Sequence, residues 1–133
     1  TASSDPGSYG TLTTYVVEDD NGNLPDGPLR VAGNAETTQE ISRRISLDNV
    51  GEGGTEVAFG DQQIIPVADG LIYVRPYYVS VPQSTADAGV VTEYRAVIVT
   101  YNDRSVLEPT LGQALAQILL FLSARRWAHA ERE

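Results

Sequence analysis

Three groups of side chains have the types and spacing to do chemistry. The first is the acidic stretch DDNGNLPD over residues 19–26. Asp19, Asn21 and Asn23 stand where the first, third and fifth ligands of a calcium loop stand, and hard Ca²⁺ takes several oxygen donors from one turn. The pattern then breaks. The sixth position is Leu24 where the sharp turn calls for Gly, and the twelfth is Arg30 where a bidentate Glu belongs. The competing reading is an ordinary solvated turn nucleated by Asn21-Gly22. The second group is Tyr73, Arg75 and Tyr77, which alternate and so share one face of a strand. Two rings flanking a guanidinium on a solvent face would make an amphipathic partner or ligand surface suited to a sugar ring or a peptide. The alternative is that the tyrosines complete the edge of a small core with their hydroxyls in water. The third group is the carboxylates. Hydrolysis by two acids needs one with a raised pKa and a second about 5 to 10 Å away. Glu93 is the acid expected to be partly buried, with Asp103 as the other residue an enzyme reading would use. Against this, Glu93 fits a plain alternating strand, and a Ser-His-acid triad would need His129 from a helix end. No catalytic residue is assigned.

Composition narrows the chemistry further. The 133 residues carry 9 Lys or Arg against 18 Asp or Glu, a formal charge of −9, and every cation is Arg. There is no Cys, so thiol nucleophiles, zinc ribbons and Fe–S clusters are excluded. There is no Lys, which removes the Schiff base and the P-loop. An excess of acid repels phosphate backbones and anionic lipid, so a nucleic-acid partner is not expected. The longest uncharged stretch, residues 109–124, has 16 residues where a bilayer span needs about 20. The fragment is thus not expected to span a membrane itself. No cofactor is expected. The chain begins with Thr1 rather than Met and shows no signal peptide pattern, which reads as a piece excised from something longer.

The elements that must position these groups follow from local pattern. Residues 1–8 are small and polar and read as a disordered lead-in or linker. LTTYVV over residues 12–17 reads as a strand, followed by a turn-prone loop to residue 28. Thr37 with Glu40 fits a capping box for a short helix over about residues 37–48, with Ile41 and Ile45 inward. Strands follow over residues 55–59, 63–67, 71–81 and 90–100, and their short joins favour antiparallel pairing. Pro66, Pro76 and Pro82 must sit at edges, bends or bulges. The strand over residues 90–100 is the central one, and residues 82–89 form a hairpin loop. A helix over about residues 109–128 carries Leu111, Leu115, Ile118, Leu119 and Leu122 on its core face. Leu120, Phe121 and Trp127 fall off that stripe, so either the sheet wraps the helix broadly or apolar surface is left for a partner. The sum is one α+β domain over residues 9–124, an antiparallel sheet of about five strands with two helices packed on it and a polar tail over residues 125–133.

Several phrases, in this order, carry a resemblance: DPGSYGTLTTYVV, LPDGPLRVAG, ISRRISL, FGDQQIIPVADGLIYVRPYYV, YRAVIVTYNDR and LEPTLGQALAQI. Across about residues 9–118, and most specifically across residues 60–78, the chain resembles the C-terminal part of the large bacterial membrane proteins of uncharacterised protein family 0182. Pro109 and the tail RRWAHAERE depart from that pattern. The resemblance implies several transmembrane helices in the N-terminal part of the parent protein, then a long extracytoplasmic segment that ends in this domain. It carries over no catalytic or ligand residue. The reading that follows is a non-catalytic extracytoplasmic domain in the cell envelope that makes protein contacts. Its partners would be the remainder of the parent membrane protein and other envelope proteins, and two isolated copies could pair through an edge strand. The alternative is a ligand-binding module for an envelope glycan, a peptide or Ca²⁺.

Overall fold

In the computed structural model the described residues are 2–14, 16–18, 22, 24–49, 55–67, 70–82 and 90–130, with the side chains of 82, 90 and 124–130 set aside. Their order is α1 (Pro28–Thr37), α2 (Gln39–Asn49), β1 (Glu56–Phe59), β2 (Gln63–Val67), β3 (Gly70–Pro82), β4 (Val90–Tyr101), β5 (Arg104–Glu108) and α3 (Leu111–Ala130). The fold is α+β, with an open antiparallel sheet of five strands and three helices.

The helical start of the domain differs from the single short helix read at residues 37–48. Pro28 opens α1 at a position where its missing N–H costs nothing. Val31 and Ala35, one turn apart, are the buried pair of α1. The Thr37 hydroxyl donates back to the Asn34 carbonyl at 2.9 Å, so the expected capping box at Thr37 does not form. Thr38 adopts extended backbone and breaks the helix, and its carbonyl then accepts the Ser42 N–H at 2.8 Å to start α2.

The stretch read as a first strand pairs, among its described residues, only through an isolated bridge from Leu12 to Ala2. Residues around it close a local turn, with the Ser3 N–H donating to the Thr11 carbonyl at 3.0 Å and the Gly10 N–H to the Ser3 carbonyl at 3.1 Å. The fifth strand is instead β5, which a tight turn at Asn102-Asp103 folds back on β4. Asn102 sits at φ 53°, a left-handed conformation that Asn tolerates better than most residues.

β1 and β2 do not pair with each other. Both lie on the same edge of β3, β1 opposite Tyr77–Ser80 and β2 opposite Gly70–Val74. They are one long edge strand interrupted opposite Pro76. The Gly60 N–H donates to the Pro76 carbonyl at 2.9 Å, so the same side of Pro76 that lacks a donor faces the interruption. The position needs glycine because an added Cβ would lie 3.2 Å from the Pro76 ring and 3.1 Å from the Tyr78 ring.

β4 is central, between β3 and β5, with Ala96 to Thr100 buried in succession as befits a strand covered on both faces. Ala96 and Ile98 join Tyr77, Val79, Ala35 and Ile41 under α1 and α2. Val97 and Val99 join Ala114 and Ile118 under α3. The helices therefore flank the sheet on both sides. α3 starts at Leu111, not Pro109, because the Thr110 hydroxyl accepts the Gln113 N–H at 3.3 Å while donating to the Gln113 Oε1 at 2.9 Å. At its other end α3 runs to Ala130, into the stretch read as a polar tail.

Candidate functional site

Tyr73, Arg75 and Tyr77 do share one face of β3, and that face lies beneath α1 and α2. Tyr73 is 5% exposed and Tyr77 0%, so the solvent-facing platform expected of them is not present. The physical reason is α1, formed by residues to which the local pattern assigns no element, which covers this end of the sheet. Each polar end is used to tie a helix down. The Tyr73 hydroxyl donates to the Asp26 carbonyl at 2.8 Å, just before α1. The Tyr77 hydroxyl donates to the Asp48 Oδ2 at 2.8 Å, and the Arg44 Nε donates to that same oxygen at 2.8 Å. Burial first, and then the neighbouring carboxylate, pushes both tyrosines above their usual pKa, Tyr77 the further. The bond to Asp48 likewise raises Arg44. Arg75 pairs with Glu36 on α1 and lies over the Phe59 ring with its guanidinium carbon 4.1 Å from the centroid.

Asp48 is the residue the sequence reading passed over. It takes Arg44 and Tyr77 on its carboxylate and the Thr55 hydroxyl on its carbonyl, while the Asn49 Oδ1 accepts the Val57 N–H at 2.9 Å. Together these join the end of α2 to β3 and β1. The i,i+4 spacing of Arg44 and Asp48 was the visible signal.

Glu93 is exposed, its side chain 51% accessible and paired with Arg95 at 2.9 Å. A bulge between the Tyr77 and Tyr78 pairings inserts Arg95 and sets Glu93 opposite Val79, where its side chain stays open to solvent, so it is not the partly buried acid expected. Asp103 lies on the opposite end of β4, in the turn to β5. The exposed Glu93 does not meet the deep pocket that the enzyme reading asks of either Glu93 or Asp103. The side chain of His129 lies outside the described ones.

Asp19, Asn21 and Asn23 lie outside the described residues. Among the described residues Glu18, Asp26, Asn102 and Asp103 line a cleft of about 360 Å³ with Leu24 and Tyr73. Such a lining favours cations over anions. Among the described residues no three His, Cys, Asp or Glu are grouped to hold a metal ion.

An apolar concavity lies on the other side of the sheet. A groove of about 270 Å³ runs between α3 and the β2 end, lined among the described residues by Val67, Ile72, Leu115, Leu119 and Leu122, none of them charged. Leu119 is 64% and Leu120 65% exposed. Of the stripe expected to face the core, Leu119 faces out and Leu111 is also exposed, while Ala114 takes the buried place. Leu115, Ile118 and Leu122 pack as expected, so the face is rotated by only part of a turn, because an apolar run gives little contrast to fix it. Among the described residues no helix is long and apolar enough to cross a membrane.

The molecule is thus a helix-flanked antiparallel α+β domain whose buried polar groups fasten helices to a sheet and which carries an acid-lined cleft beside Tyr73 and an apolar groove beside α3. Compared with known proteins, the chain is similar to a UPF0182 protein of Cupriavidus necator, 37% identical over 117 residues, covering 88% of this chain and 12% of the relative. It is also similar to UPF0182 proteins of Desulfitobacterium hafniense, 36% identical over 83% of this chain and 11% of the relative, and of Methanospirillum hungatei, 32% identical over 92% and 13%. The chain belongs to the UPF0182 family, as one domain of larger proteins. It spans about 12% of the length of the curated relatives it matches. No family model matches, and no solved structure matches.

Proposed function

We propose that this domain is a non-catalytic, extracytoplasmic part of a multi-pass envelope protein and acts through protein contacts. The observation that carries the reading is the groove beside α3, apolar along its described lining, with Leu119 and Leu120 about two-thirds exposed. Contiguous apolar surface of this kind on a folded domain is a mark of an interaction site. Membrane attachment and outward orientation rest on the family resemblance and on the chain being a small part of much longer relatives.

The location is tested by protease shaving of intact cells that carry the parent protein with an epitope inserted between β3 and β4. Loss of the epitope on intact cells supports an outward domain. Protection until lysis overturns it. The contact role is tested by the double variant Leu119→Glu/Leu120→Glu in the parent protein. The expected result is a several-fold loss of assembled parent protein while the separate domain keeps its melting temperature. Unchanged assembly overturns the reading.

A further inference from the structure

The two faces of the sheet are not covered alike. α1 and α2 together reach β1, β4 and β5 on one face, whereas on the other α3 packs on β4 and β5. In antiparallel pairing, opposite residues point to the same side. Ile65 stands opposite Ile72 and Gln63 opposite Val74, which puts Ile65 and Val67 on the α3 side of β2. Both remain exposed, Ile65 at 42% and Val67 at 38%. The apolar floor of Ile72 and Val74 therefore continues sideways past α3 onto an uncovered strip formed by β3 and its edge partners.

Resting on the interaction-domain reading above, we infer that this strip is covered by a helix from the rest of the parent polypeptide, lying beside α3 and contacting Leu119, Ile65 and Val67. The dimensions select a helix. Two strands at about 4.8 Å spacing make a strip about 10 Å wide, the diameter of one helix. A helix seated there would meet α3 at the usual interaxial distance of about 8–10 Å and bury Leu119. A strand added to the β2 edge would lie in the plane of the sheet and leave Leu119 bare. The described lining of the groove is apolar, so the contacting face of the helix is apolar. The source is the same polypeptide because the matched region is only about 12% of the relatives' length, and a tethered segment competes at millimolar effective concentration against any free partner.

The test is site-specific photocrosslinking in the full-length parent protein in its native membrane. Benzoylphenylalanine replaces Leu119 in one variant and Ile65 in a second, both exposed enough to accept it, and Leu29 on the far side, 88% exposed, in a control. The expected result is an adduct within one polypeptide from both positions and not from Leu29. Peptide mapping then places it outside these 133 residues, at partner positions spaced three or four apart. A band of twice the mass, an adduct to lipid, or an intrachain adduct without helical spacing overturns the inference. An adduct to a different protein overturns it too, while leaving the interaction-domain reading in place. No adduct from either position removes both.

Discussion

The face of the sheet under α1 and α2 and the face under α3 are built on different principles. The first is fastened by directional bonds: Tyr77 to Asp48, Tyr73 to Asp26, Arg75 to Glu36 and Thr55 to Asp48. The second is held by Val97, Val99, Ala114 and Ile118 in apolar contact, with Arg104 over the Phe121 ring at 4.3 Å at its margin. Directional bonds fix the position of a helix as well as its attachment, whereas apolar contact is roughly proportional to area and leaves a helix free to accept another neighbour. One face thus has its tyrosines buried beneath helices, and the other keeps Leu119, Ile65 and Val67 exposed at its margin.

The largest effects should come from truncating matched core residues on the two faces. Ile41→Ala and Ile118→Ala, 1% and 3% exposed, are each expected to lose about 2–5 kcal/mol in urea unfolding of the domain. A single transition in both variants keeps the two faces in one cooperative unit, and two transitions in either would break the comparison by making them separate units. Next, Gly60→Ala should cost about 1–3 kcal/mol, since the new methyl meets the Pro76 and Tyr78 rings. An unchanged midpoint would mean the interruption between β1 and β2 relaxes freely.

Tyr77→Phe should cost about 1 kcal/mol at neutral pH, as Asp48 keeps Arg44 after the hydroxyl is gone. It also has a pH signature. The folded pKa of Tyr77 lies above its unfolded value near 10, so the unfolded chain releases the proton first and binds fewer protons than the folded one as pH rises. The stability contributed is complete below about pH 10 and is lost above it. Tyr73 shifts in the same direction and adds to the loss. A pH series of melting temperatures should therefore fall more steeply above pH 10 in the natural domain than in Tyr77→Phe, and equal slopes would remove the Asp48 tether from the comparison. The smallest effect is expected at Leu119→Gln, within about 0.5 kcal/mol in the separate domain. A larger loss there would mean that α3 already uses Leu119, and that its face is not open.

Much of the fold was legible. The strands β2, β3 and β4 were carried by runs of Val, Ile and Tyr and by the turn signals between them, and β4 was recognisable as central from its length and apolar density. β5 was not, because RSVLE is short and gains its strand character only by pairing with β4. α1 was hidden by its polar and glycine-containing sequence, although Pro28 after Asp26-Gly27 was a start signal. The tyrosine site was half legible: strand alternation put Tyr73, Arg75 and Tyr77 on one face, but alternation cannot say what covers that face.

By itself the sequence determined the chemistry excluded, the antiparallel α+β class, the extended course of β3 and β4 and the family. These rest on composition, on the period of side chains along one strand and on turns of two or three residues, all of which are local. Only the tertiary structure decided that β1 and β2 share one edge, that the tyrosines are buried tethers, that Glu93 stays exposed and that Leu119 rather than Ala114 is left in the open. Each of those depends on which distant segment packs against which face, and α3, apolar almost all round to Leu122, could offer the sheet any side until the shape of the sheet selected one.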